Sequence, residues 1–225
     1  MKLSIAADKI NRASSEAWIK RLNWIYMDER IQNQFNFQIH DKNSADVLGS
    51  LYISRAKDEE EIKSKKLFCT QFINSTHIFT GSRFLGLHHF DREKGKFTVA
   101  VERNAQLWYS QSPSGDVLVF VAPYQSDLGE IIENEIIIDR FNNPYDVKDK
   151  HIKKHLSIFF KYCSCTSQHA TLNMNNYLFR RYLLLKDFRY RSTYRKRLLD
   201  VFERLILILL GCAAVWASLY AGGKI

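Results

Sequence analysis

Residues 205–221 read LILILLGCAAVWASLYA, seventeen residues with no charge, no proline and no polar side chain stronger than serine. As an α-helix this run extends about 25 Å at ~1.5 Å per residue. A bilayer core is about 30 Å thick, so the run is near the short limit for a span. A core helix of a soluble domain keeps one polar face, and this run shows none. Gly222, Gly223, Lys224 and Ile225 follow it. The expectation is one C-terminal membrane anchor, with everything upstream on one side of the membrane.

The flanks fit that expectation. The chain carries a net +9, but residues 180–225 hold ten Lys/Arg against three Asp/Glu, a net +7. Residues 1–179 are nearly neutral at +2. A nucleic-acid-binding domain spreads its basic residues over a face of the fold, so nucleic acid is not the expected partner. Lys/Arg beside a span mark its cytoplasmic side and attract anionic headgroups. The expected membrane-interface residues are Arg180, Arg181, Arg189, Arg191, Arg195, Lys196, Arg197 and Arg204. The expected topology puts the body in the cytosol (at the inner membrane in a bacterium) and Lys224 and Ile225 across the bilayer.

The anchor has a small-residue face. Ala213, Ala217 and Ala221 lie four apart, Ala214, Ser218 and Gly222 form the neighbouring stripe, and Gly211 adds to it. Small residues at this spacing let membrane helices approach closely, so a homo-oligomer is expected.

Upstream, 225 residues that are 46% hydrophobic leave enough chain for one domain with a real core. The N-terminus, MKLSIAADKINRASSEAW, lacks the apolar core of a secretory signal. Four cysteines, Cys69, Cys163, Cys165 and Cys212, make no disulfide framework, and reduced thiols are expected.

The segments are read as 1–33 helical, 34–150 β-rich, 151–200 basic and helical, and 201–225 anchor. Ile5, Ile10, Ala13, Ala17, Leu22 and Ile25 recur at helical spacing, with a second helix capped at Ser14 or Ser15 as the alternative. Trp18, Trp24 and Tyr26 are expected to pack on the following sheet, or else to lie on a membrane surface. Phe35, Phe37 and Ile39 alternate as a strand does, and DKNSAD at 41–46 reads as a turn. Further strands are VLGSLYIS (47–54), LFCTQFI (67–73), HIFTG (77–81), FLGLHHF (84–90), KFTVAVER (96–103), QLWYSQ (106–111), DVLVFVA (116–122) and NEIIID (134–139), with a charged connection at 58–66. DREKG at 91–95 and SPSG at 112–115 look like hairpin loops. Helices follow at 151–162 and from Asn176, with a break near Ser192-Thr193. Many short strands joined by tight turns point to an α+β fold built on an antiparallel β sandwich or small barrel, with helices at both ends and one transmembrane helix.

Candidate chemistry is sparse. His151, His155, Cys163, Cys165 and His169 form H-x3-H-x7-C-x-C-x3-H, residue types that bind zinc. The C-x-C spacing and the neighbouring Lys153, Lys154 and Lys161 weaken the pattern. No other cofactor is indicated. His88 and His89 alternate in a strand and point to opposite faces. Glu133, Glu135 and Asp139 sit near one strand without a second acidic motif. A nucleophile elbow, a P-loop, a G-x-G-x-x-G turn and an H-E-x-x-H helix are all missing from the sequence. The expectation is therefore a membrane effector or adaptor whose cytosolic β domain binds a ligand or protein. By analogy of architecture alone, a bacterial immunity or stress effector has such a layout. The alternatives are a membrane-tethered enzyme and a scaffold subunit of a membrane complex.

Overall fold

The computed structural model describes residues 2–39, 42–55, 74–91, 95–126, 128, 133–170, 173–221 and 223. The expected strand at 67–73, the connection at 58–66, Cys69 and Gly222 lie outside them. The chain divides into two compact units, Met1–Leu183 and Leu184–Ile225.

The first unit opens with α1 (Leu3–Gln38), one unbroken helix of 36 residues. Neither Pro nor Gly interrupts it, and Ser15 does not cap a second piece. Its hydroxyl donates back to the Asn11 carbonyl one turn earlier at 3.0 Å. Ala17, Trp24, Met27, Ile31 and Phe35 form its buried face. The expected strand at Phe35–Ile39 is helix as far as Gln38, because Phe35 continues that face one turn after Ile31. Trp18 and Tyr26 do not pack on a sheet. They sit on other sides of the helix and are 53% and 62% exposed.

The short helix α2 (Lys42–Val47) occupies most of the expected turn at 41–46. Gly49 (φ 94°) and Ser50 (φ 59°) then reverse the chain, so β1 is only Leu51–Ser54. Next come β2 (Ser75–Thr80), β3 (Arg83–Asp91), β4 (Lys96–Arg103), β5 (Gln106–Gln111), β6 (Val117–Ala122), β7 (Gln125–Ser126) and β8 (Ile136–Phe141). A 3-10 turn at Pro144–Asp146, capped by the Asn143 side chain, ends the β region. Helix α3 (Asp149–Thr166) and helix α4 (Met174–Lys186) follow.

The strands make two antiparallel sheets, ordered β1-β2-β5-β6-β8 and β3-β4-β7. The protein is therefore α+β. Within the described residues β1 and β8 are the two edges of the larger sheet, which is open and not a closed barrel. Alternation decides its faces. Ile78, Leu107, Tyr109, Val117, Val119 and Val121 point inward with α1 and α3, whose Ile152, Leu156 and Phe159 are fully buried. On the other face His77, Trp108 and Phe120 stack side by side across three strands, at centroid spacings of 6.1 and 4.9 Å.

Of the two expected hairpin loops, residues 92–94 of DREKG lie outside the described residues, and SPSG is seen as a turn. Ser112–Gly115 joins β5 to β6, and Gly115 (φ 83°) lies so close to α1 that a Cβ there would meet the Lys20 Cβ at 2.6 Å. The β3–β4 hairpin carries Leu85, Ala100 and Glu102 inward and leaves Phe84, Phe90, Phe97 and Val99 exposed.

Candidate functional site

The C-terminal unit is organised by α5 (Phe188–Ala221), 34 residues in one helix. The sequence places its break at Ser192-Thr193, but the helix is continuous there. It starts instead after Asp187, whose carboxylate accepts from the Arg189 backbone N–H at 2.9 Å and so caps an orphan donor. Within α5, Val201–Ser218 is long and apolar enough to cross a membrane, with a mean hydropathy of 1.8 and none of it buried. Leu205, Leu207, Ile208, Leu209, Leu210, Val215 and Trp216 all project outward. The Ser218 hydroxyl donates to the Ala214 carbonyl at 2.9 Å, which satisfies the strongest polar group in the run without solvent. Because the helix is regular to Ala221, Ala213, Ala217 and Ala221 share one side and Gly211, Ala214 and Ser218 lie beside them. A Cβ on Gly211 would meet nothing within 4 Å. Cys212 is a free, exposed thiol in the same stretch.

The basic residues before the span are not all alike. Arg180 belongs to the first unit, where its guanidinium grips Glu133 through Nε and Nη2, the shorter contact being 2.5 Å. Tyr162 donates to the same carboxylate at 3.1 Å. Arg181 lies over the Tyr177 ring at 5.1 Å. Arg189 pairs with Asp187 at 2.9 Å. Arg204 is exposed on α5. Arg191, Arg195, Lys196 and Arg197 lie on α5, and their side chains are outside the described set.

The five zinc-type residues occupy separate places. His151 accepts from the Lys148 N–H at 3.2 Å at the start of α3. His155 is fully buried between Tyr109 and Asp139. Cys163 is buried beside Tyr124, and burial pushes its thiol well above the ordinary range. The Cys165 thiol donates to Asn176 at 3.4 Å. The His169 ring nitrogen Nε2 donates to the Leu85 carbonyl at 3.2 Å. Among the described residues no three of His, Cys, Asp and Glu converge as metal ligands.

The body instead holds several buried polar networks. Glu102 is fully buried and accepts from Arg83 at 2.7 Å, the Ser167 hydroxyl at 2.9 Å and the Gln168 N–H at 2.9 Å. Asp28 accepts from Arg55 Nε at 2.8 Å and the Thr76 hydroxyl at 2.6 Å. Asp116 pairs with Lys20 at 3.2 Å and Arg140 at 2.8 Å. Burial alone would raise the Asp116 pKa, but the hydrogen bonds and charges of Arg140 and Lys20 outweigh it and hold the carboxyl below the usual range. Sequence reasoning passed over all three. For Glu102 a signal existed, since it shares the inward parity of Ala100 in the alternating strand 96–103.

Tyr109, His155 and Asp139 form the nearest thing to a catalytic relay. The phenol lies 3.1 Å from Nδ1 and Asp139 3.3 Å from Nε2. A neutral ring protonated at Nε2 satisfies both neighbours. Burial, then the Asp139 charge, raises the Tyr109 pKa far above its ordinary value. Tyr109 and His155 are sealed from solvent, so the arrangement ties α3 to β5 and β8 and offers no substrate a path to the ring. Glu133 is held by Arg180 and Tyr162, and Asp139 by His155. His88 is exposed, and the side chain of His89 is outside the described set. No family model, curated protein or solved structure matches this chain.

Proposed function

We propose that this protein is a single-pass, C-terminally anchored membrane adaptor or effector whose β-rich body works as an interaction module. The observation that carries this is Val201–Ser218, a helical stretch with its apolar side chains wholly outward. Water offers such a surface nothing, and a bilayer covers it. The Lys/Arg excess before the span favours a cytosolic body. The small-residue side around Ala217 favours assembly of several spans. The exposed Phe84, Phe90, Phe97 and Val99 on the β3–β4 hairpin support a body that binds a partner, since clustered apolar side chains mark interaction surfaces.

Fractionation tests this. The full chain should stay with membranes through alkaline carbonate, and a chain cut after Lys186 should be soluble. A full chain that remains in the soluble fraction would make Val201–Ser218 a helix covered by protein. Replacing Arg195, Lys196 and Arg197 with Glu should weaken insertion or invert topology, read by impermeant labelling of a cysteine added after Ile225. Topology unchanged by that replacement would remove the charge asymmetry as the orienting signal.

A further inference from the structure

The span in α5 has a polar border at each end, and the two borders lie close together. The window Val201–Ser218 is apolar enough to cross a membrane, but it contains Glu203 and Arg204, both exposed on the helix. A charge carried into hydrocarbon is costly. Arg204 can lift its guanidinium along its own stem toward the headgroups. Glu203 is shorter and has to stay with them. The hydrocarbon part of the helix therefore starts at Leu205.

The other border is set by the backbone. Helix α5 closes at Ala221, and Gly223 has left the helix with φ 65°. The carbonyls of the last turn lack partners within the helix, and hydrocarbon offers them none. That end has to reach headgroup water, where Lys224 also belongs. Between the borders the helix is regular, so its apolar length is about 25 Å at ~1.5 Å per residue. An average bilayer core is about 30 Å thick. A span that is too long can tilt to fit. One that is too short has no such remedy, and the bilayer must thin around it. Lipids with short acyl chains remove that cost. We infer that the span selects short-chain lipids and thin bilayers. This rests on the anchor reading above and adds the kind of lipid the anchor takes.

The test uses the full chain with Cys69→Ser and a dye on Cys212, since Cys163 and Cys165 are buried. The vesicles hold equal amounts of two phosphatidylcholines, with acyl chains of about 14 and about 22 carbons, on either side of an average thickness. A nitroxide sits on the short-chain lipid in one sample and on the long-chain lipid in the other. The short-chain lipid should quench about threefold more strongly, because a mismatch of several ångströms costs a fraction of a kcal/mol for each. Glu203→Leu with Arg204→Leu extends the apolar run to Val201–Ala221, about 31 Å at ~1.5 Å per residue. That pair of substitutions should turn the preference toward the long-chain lipid. Equal quenching of the parent by both lipids, or stronger quenching by the long-chain one, would overturn the inference and leave the anchor standing. Quenching by neither would overturn the anchor reading and the inference with it. A double variant that keeps the parent's preference would overturn the border at Glu203 and Arg204, and so the short span.

Discussion

Asp28 and Leu209 are placed against the ordinary rule in opposite directions. Asp28 is a carboxylate buried within the body, where Arg55 and Thr76 satisfy it. Leu209 is an aliphatic side chain 66% exposed on α5. The difference shows two ways of meeting one requirement. A buried charge is tolerable when hydrogen-bond partners replace its water. An exposed apolar helix is tolerable when its surroundings are not water. The body therefore carries its own solution, and α5 needs one from outside.

The largest effect comes from separating the two. A chain cut after Lys186 should lose all membrane association yet unfold at the same temperature as the body in the full chain, within about 2 °C, because Met1–Leu183 is a compact unit by itself. A drop of about 10 °C, far outside the effect of a peripheral change, would show that the body depends on α5.

The next effect probes the buried charge. Asp28→Ala should cost the body about 3 kcal/mol, because it strands the Arg55 guanidinium next to a buried Thr76. Leu209→Ala should leave the body's stability unchanged. The denaturant midpoint reads both, and equal effects would erase the contrast.

Tyr109→Phe is milder. It removes one partner of a buried histidine and should cost about 1–2 kcal/mol, again seen in the midpoint. A neutral result would mean that the phenol does not hold His155.

The smallest effect concerns acid. The folded-state pKa of Asp116 is depressed, so its stabilisation is complete above the unfolded value of about 3.9 and is lost as pH falls through the folded value. Asp116→Asn should remove that part of the acid sensitivity, leaving a flatter stability profile below about pH 4. A profile identical to the parent would show that the Lys20 and Arg140 contacts do not act through the Asp116 charge.

What could be read from the sequence divides along similar lines. Strands 96–103 and 106–111 were legible because alternation and a tight turn are local. The C-terminal helix was legible because seventeen apolar residues admit few other structures. Phe35–Ile39 misled because residues two apart also fit a helix between turns, and only the burial of Phe35 behind Ile31 decides. The break at Asp187 was missed because it depends on a carboxylate turning onto its own backbone. Asp28 was invisible because Arg55 and Thr76 are 27 and 48 residues away. The zinc pattern is linear, whereas on α3 His155 and Cys163 stand about 12 Å apart along the axis at ~1.5 Å per residue.

Cys212 offers the most direct test of the central claim, since it lies inside Val201–Ser218 and is exposed on the helix. A polarity-sensitive dye on this thiol, with Cys69→Ser in the background and the full chain in vesicles, reports its solvent. The account predicts strong quenching by lipids that carry a nitroxide deep in the acyl chain and none by aqueous iodide. Quenching by iodide and not by the lipid probe would place the helix in water and contradict it.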